Sequence, residues 1–126
     1  MGIFILPLTK DSIIYNKSYM LALKAINIYK DLYFNKKEYV LSKQFVRSST
    51  SIGANISESF HSQSTRDNIA KLYISLKEAG ESKYWLMLLK DSNIVNSKIC
   101  DELLKDILEI EKILISIIKK NKSNLK

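Results

Sequence analysis

The stretch Phe45–Phe60, FVRSSTSIGANISESF, decides the fold. Phe45, Ile52, Ile56 and Phe60 recur at helical spacing, and Leu41 carries the same apolar stripe backwards. Val46, Thr50, Gly53 and Ser57 form a row beside it, nearly all small. A glycine inside a helix costs roughly 1 kcal/mol against alanine, so Gly53 points to a close approach by a neighbouring helix. Arg47, Ser51, Ala54 and Glu58 make a third row, with Asn55 at its edge. Serine disfavours helix interiors because it competes for backbone hydrogen bonds, and propensity alone would make Ser48–Ser51 a loop. The unbroken stripe from Leu41 to Phe60 overrides that and predicts a central helix.

Working outward, the periodicity predicts helices over about 11–35, 38–61, 64–92 and 96–120. Asp11 or Ser12 caps the first, whose face is Ala22, Ile26, Tyr29 and Tyr33, widened by Tyr19, Leu23 and Leu32. Asn35-Lys36-Lys37 is a polar loop. Ser64 or Thr65 opens the third helix, with Asp67 near the positive end of its dipole. Its inner face reads as Ile69, Leu72, Tyr73, Leu76, Ala79 and Gly80. The fourth carries two apolar stripes, one from Ile99 through Leu103, Ile107, Ile110 and Leu114 to Ile117, the other through Cys100, Leu104, Leu108, Ile115 and Ile118. Asp101 with Lys105, and Glu109 with Lys112, are spaced to pair along it. Short loops make neighbours antiparallel. The predicted fold is all-α, one domain over residues 1–126, an up-down-up-down four-helix bundle.

Tyr84-Trp85-Leu86-Met87-Leu88-Leu89 is apolar on every side, more than one bundle covers. Tyr84, Trp85, Leu88, Leu89, Leu104 and Leu108 are therefore candidates for contact with further copies of the chain.

The composition excludes several chemistries. A single Cys100 offers no disulfide framework or zinc spacing, and its lone presence suits a reducing, cytoplasmic setting. A single His61 at a helix end has no catalytic neighbours and reads as solvated. No Glu-x-x-His pair supports a di-metal site, and no glycine-rich loop cradles phosphate. Neither enzyme chemistry nor a cofactor is expected. The apolar run Ile3–Leu6, broken by Pro7, is too short for a signal segment, and no run spans a membrane. The N-terminus reads as a tail or a strap packed on the bundle.

The formal net charge of +7 favours anionic partners. Lys98, Lys105, Lys112 and Lys119 repeat at heptad spacing, continued by Lys126, and drift only ~20° per heptad. Lys17 and Lys24 form a shorter row, with Lys10, and Lys43 adds to the basic start of the second helix. These are the candidates for contact with RNA or DNA. The acids Asp101, Glu102, Asp106, Glu109 and Glu111 interleave with them, so a merely solvated edge is the competing reading. Arg47, Asn55, Glu58 and Glu81 read as a polar cluster between helices that fixes register, in preference to a ligand pocket, because buried charges are usually paired.

The run L-S-K-Q-F-V-R-S-S-T-S-I-G-A-N-I-S-E-S (Leu41–Ser59) resembles the second-helix signature of the 23S ribosomal RNA intervening-sequence protein family. The run S-x-x-D-x-I-A-K-L-Y-I-S-L-K-E-A-x-E-S-x-Y-W-L (Ser64–Leu86) resembles its third-helix signature. Arg47, Ser48, Ser51, Ile52, Asn55, Glu58, Glu78 and Glu81 match the motif. Gly80 is a less common choice and is expected to loosen the third helix locally. The resemblance implies four-helix bundles assembled as homopentameric rings, some of them encoded inside intervening sequences of bacterial ribosomal RNA genes. It also implies a related branch that serves as an accessory protein to a reverse transcriptase in diversity-generating retroelements. An oligomer that contacts nucleic acid and a protein-interaction scaffold for a nucleic-acid enzyme are the two resulting functional expectations.

Overall fold

The computed structural model describes residues 10–125; the expected N-terminal strap and Lys126 lie outside them. The described residues form four α-helices and no strand: α1 (Lys10–Lys30), α2 (Leu41–Ser59), α3 (Thr65–Asp91) and α4 (Ser97–Ser123). Each packs on its sequence neighbours, and α1 also meets α4.

Cross-helix contacts give the registers. On α2 and α3, Ser48 and Ser49 meet Ser82, while Ile52 meets Ser75. On α3 and α4, Asn68 bonds Asn121, Lys83 pairs with Glu111 and Lys90 with Asp101. On α1 and α4, Lys17 pairs with Glu109 and Lys24 with Asp106. Ser18 abuts Gly53, and the rings of Tyr15 and Phe60 lie 6.1 Å apart between α1 and α2. In every pair, numbers rise on one helix as they fall on the other.

The core is built from Ile14 and Leu21 of α1, Leu32 just after it, Phe45, Ile52 and Ile56 of α2, Leu86 and Leu89 of α3, and Ile107, Ile110 and Leu114 of α4. Within the α2 stripe Leu41 is half-buried and Phe60 is exposed. In the first stripe of α4, all but Ile99 are buried. Two inner faces are rotated from the apolar periodicity. On α1 and just beyond it, Ala22, Ile26, Tyr29 and, past the helix end, Tyr33 are only half-buried, and Tyr19 and Leu23 are exposed; Ile14, Ser18, Leu21 and Ala25 point inward instead. On α3, Ile69, Leu72 and Ala79 are buried as expected, but Tyr73 is exposed and Leu76 and Gly80 are half-buried, while Ser75 and Ser82 are fully buried.

Serine explains the second rotation. The Ser75 hydroxyl donates to the Ile52 carbonyl at 2.8 Å, across the seam. Ser49 donates to Ser82 Oγ at 3.2 Å, and Ser82 Oγ lies 3.0 Å from Ser48 Oγ and 2.9 Å from the Glu78 carbonyl. A hydroxyl with a partner can be buried without the penalty of an orphaned polar group, and its small volume lets two backbones approach. The same back-bonding keeps the serine run helical: Thr50 and Ser51 donate to the carbonyls of Val46 and Arg47. Gly53 serves the α1 seam, since a Cβ there would meet Ser18 Oγ at 3.1 Å. Gly80 faces open space, and α3 runs through it unbroken.

The ends are set by side chains. Ser64 accepts the Asp67 N–H, and Asn96 accepts those of Lys98 and Ile99. The second helix opens at Leu41 rather than near Glu38 because the Glu38 carboxylate accepts the N–H groups of Val40, Leu41 and Ser42. Burial raises the Glu38 pKa, but the hydrogen bonds from Leu41, Ser42 and Val40 outweigh it and hold the carboxyl below its ordinary range. The first helix keeps α-geometry only to Lys30; Asp31–Asn35 winds as a π-helical turn.

Candidate functional site

Arg47 on α2 lies 3.7 Å from the Glu78 carboxylate and 3.6 Å from that of Glu81, both on α3. The seam's interior is apolar and hydroxylic, and Arg47 and Glu81 stand partly in solvent, so these charges mark its outer edge. The Arg47 side chain is largely exposed, whereas Glu78 is largely buried. Burial pushes the Glu78 carboxyl above its ordinary range, the hydrogen bond and charge of Glu81 add to that, and Arg47 and Lys77 oppose it. Glu78 Oε1 is buried without a hydrogen-bond partner.

The expected cluster of Arg47, Asn55, Glu58 and Glu81 is thus corrected in two members. Asn55 turns back and donates to the Ser51 carbonyl of its own helix at 2.8 Å. Glu58 is exposed, about three turns from Glu81's partner Arg47. Glu78, one turn before Glu81, takes the buried place; its position in the third-helix motif was the available signal.

The basic residues divide into two groups. Lys98, Lys105, Lys112 and Lys119 all stand exposed on α4. Lys17 and Lys24 instead border a shallow groove of about 320 Å³ between α1 and α4, where Glu109 and Asp106 neutralise them. The Lys17 ammonium, by hydrogen bond and charge, holds Glu109 below its ordinary range. The acids expected to pair along α4 therefore pair between helices: Glu109 with Lys17, and Asp101 with Lys90 at 2.7 Å. Lys43 is exposed on α2.

Among the apolar contact candidates, Leu89 is corrected outright. It is 0% exposed within the subunit, because the seven-residue step from Ser82 returns it to the same inward line as that serine. Trp85 and Leu104 are half-buried against the core. Tyr84, Leu88 and Leu108 are exposed, with Met87, Ile99 and Ile115 beside them on the same two helices.

Neither unusual side chain makes a reactive centre. Cys100 is fully buried, and burial, then the Asp101 charge, pushes its thiol up, away from the thiolate. His61 is exposed in the turn after α2. Among the described residues no group of three or more His, Cys, Asp or Glu side chains is placed to hold a metal ion. No described helix is long and apolar enough to cross a membrane.

A four-helix subunit with a hydroxyl-lined central seam, motif charges at its edge and lysines outside defines a class of small helical-bundle proteins. The chain belongs to the 23S rRNA-intervening sequence protein family, whose model matches residues 10–116. It is similar in structure to a protein of unknown function from the S23 ribosomal protein family of Bacteroides thetaiotaomicron VPI-5482. The two are 47% identical, with a TM-score of 0.86, over 88% of this chain and 99% of that one. No curated protein matches the chain.

Proposed function

We propose that this chain is a non-enzymatic protein that assembles, as an up-down-up-down four-helix bundle, into a homopentameric ring and contacts RNA or DNA through its lysine-rich surfaces in the cytoplasm. The observation that carries this reading is the surface of α4, where Lys98, Lys105, Lys112 and Lys119 are all exposed on a chain of net charge +7. Phosphate contacts need only such charge, and bind with weak sequence preference. The opposed register of every helix pair supports the up-down arrangement. Exposed Tyr84, Met87, Leu108 and Ile115 on α3 and α4 support self-association, because one subunit leaves them uncovered. A ring repeats the lysine row at several points and raises avidity without any new contact.

Native mass measurement followed by a titration against RNA and DNA across salt concentrations tests this. The expected result is an oligomer whose logarithm of affinity falls linearly with the logarithm of salt, with a slope of about −0.7 to −0.9 per phosphate neutralised. A monomer at micromolar concentration, or no binding at low salt, overturns it.

The uncovered apolar surface also favours a second reading, an accessory subunit for a nucleic-acid enzyme such as a reverse transcriptase. That reading requires a stable complex on co-purification from the native host, and loses its support if the ring buries those side chains completely.

A further inference from the structure

The corner where α1 passes into α2, residues 30–43 with both helix ends included, holds four features that a simple connector does not need. First, Asp31–Asn35 is wound as a π-helix. Within it Leu32 lies wholly inside the core while Phe34 stands 63% exposed; π-turns are frequent at functional sites. Second, Lys37 has φ 59°, the left-handed region that a side chain with a Cβ occupies at a cost. Third, the turn carries an aromatic cluster: the Tyr33 ring lies 5.5 Å from Tyr29, 5.0 Å edge-on from Phe34 and 4.8 Å edge-on from Tyr39. Tyr33 is held from three sides, while Phe34 and Tyr39 keep open surface.

The fourth feature is charge. Both acids of the turn are occupied. Asp31 accepts from Asn35 Nδ2 at 2.8 Å and lies 3.8 Å from Lys36, and Glu38 accepts the first N–H groups of α2. Lys36 also donates to the Ile94 carbonyl at 2.6 Å, which ties this turn to the one joining α3 and α4. Among the described residues, no ion pair engages Lys30, Lys37 or Lys43.

We infer that this corner is a stacking platform for single-stranded nucleic acid: the open rings of Phe34 and Tyr39 take bases, and Lys30, Lys37 and Lys43 take the phosphates between them. The inference rests on the nucleic-acid reading above but names a different surface from the α4 row. Charge complementarity selects this occupant. An apolar protein segment docked at this corner would leave its three lysines uncompensated, whereas a nucleic-acid strand supplies one phosphate per base. A duplex hides its bases in its own stack and offers the rings nothing.

The test is fluorescence anisotropy at low salt with a labelled single strand of roughly 15 nucleotides, as RNA and as DNA, and the matching duplex. The Phe34→Ala/Tyr39→Ala double variant is expected to bind single strands on the order of tenfold or more weakly and the duplex as before. Both positions are exposed but pack on Tyr33, so its thermal melt is expected to fall by a few degrees while the fold, read from unchanged duplex binding, is kept. Phe34→Trp is expected to retain binding and to show indole fluorescence quenched by the single strand. If the wild type binds and the double variant binds single strands equally well, the platform is overturned while the nucleic-acid reading stands. Equal losses for single strand and duplex overturn stacking as the mode. No binding of any probe by the wild type overturns both.

Discussion

The seam between α2 and α3 and the seam between α1 and α4 are closed by opposite means. In the first, Ser48, Ser49, Ser75 and Ser82 are fully buried and hydrogen-bonded across or along the helices. In the second, Lys17 and Lys24 reach over half-exposed surface to Glu109 and Asp106. Buried, satisfied hydroxyls demand one register, because a slip orphans a polar group in a low-dielectric interior. Exposed ion pairs demand little, since water and salt replace either partner. Arg47, Ser48, Glu78 and Glu81 of the motif fall on the first seam and the Lys17–Lys24 row on the second, so shape is held where solvent is excluded and surface charge is left adjustable.

The largest effect expected from this contrast is overpacking the serine seam. Ser82→Leu forces a longer side chain between two backbones and strips Ser48 and Ser49 of their partner. It is expected to cost about 3 kcal/mol or more, read as a lowered denaturant midpoint. A variant that unfolds at the wild-type midpoint shows the seam to be loosely packed.

The two mid-helix glycines sharpen the same contrast. Gly80→Ala meets nothing within 4 Å and is expected to gain about 0.5 to 1 kcal/mol from helix propensity. Gly53→Ala brings its methyl to 3.1 Å from a buried Ser18 hydroxyl that donates to the Tyr15 carbonyl, so the gain is forfeited. In a Ser18→Ala background, which removes that oxygen, Gly53→Ala is expected to recover part of it. Equal stabilisation by both single variants breaks the reading of Gly53 as a close-approach residue.

These positions also show how much of the molecule was legible in its sequence. The four helices and the Phe45–Ile52–Ile56 stripe were, because period-3.6 apolar patterns over long segments have few alternatives. Of the α3 inner face Ile69, Leu72 and Ala79 were legible, but its rotation and most of the α1 face were not, because Ser18, Ser75 and Ser82 line the interior without registering as apolar. Leu89 was misplaced for the same reason: its partners on that line are serines. The π-helical turn leaves no compositional mark, since one extra residue in a turn changes geometry and not residue type. Of the polar cluster, Arg47 and Glu81 could be found from helical rows, but which neighbour would turn inward, Glu78 and not Asn55, depends on the crossing of two helices.

Two carboxylates, Glu38 capping the start of α2 and Glu78 on the α2–α3 seam, titrate in opposite senses. Glu38 has a folded pKa below its unfolded value, so its stabilisation is present above the ordinary carboxylate range and lost as pH falls through the folded value. Glu38→Ala removes that acid-sensitive contribution, and as a lost helix cap costs about 1 kcal/mol near neutrality. Glu78 has a folded pKa raised above its unfolded value. Its stabilisation is present below the unfolded pKa and lost as pH rises through the folded one. Glu78→Gln is therefore expected to flatten the fall in stability on the alkaline side of the ordinary carboxylate range and to raise the melting temperature at pH 7. Denaturant midpoints from pH 3 to 8 check both; parallel shifts at every pH contradict the assignment.

The smallest stability effect belongs to the α1–α4 seam, and it separates stability from function. Asp106→Asn removes the partner of Lys24 at 2.8 Å, a pair whose side chains are 48% and 36% exposed. Such pairs contribute about 0.5 kcal/mol or less, so the denaturant midpoint is expected to stay almost unchanged. The net charge rises and Lys24 is released to solvent beside the exposed lysines of α4. If those lysines contact phosphate, nucleic-acid affinity at low salt rises and the salt slope steepens by up to about one phosphate. Lys24→Ala, with the same small cost in stability, then leaves the slope at its original value, because Lys24 was already neutralised. A larger loss of stability in Asp106→Asn than in Ser82→Leu would invert the ordering of the two seams, and would place the determinant of register on the charged side of the bundle.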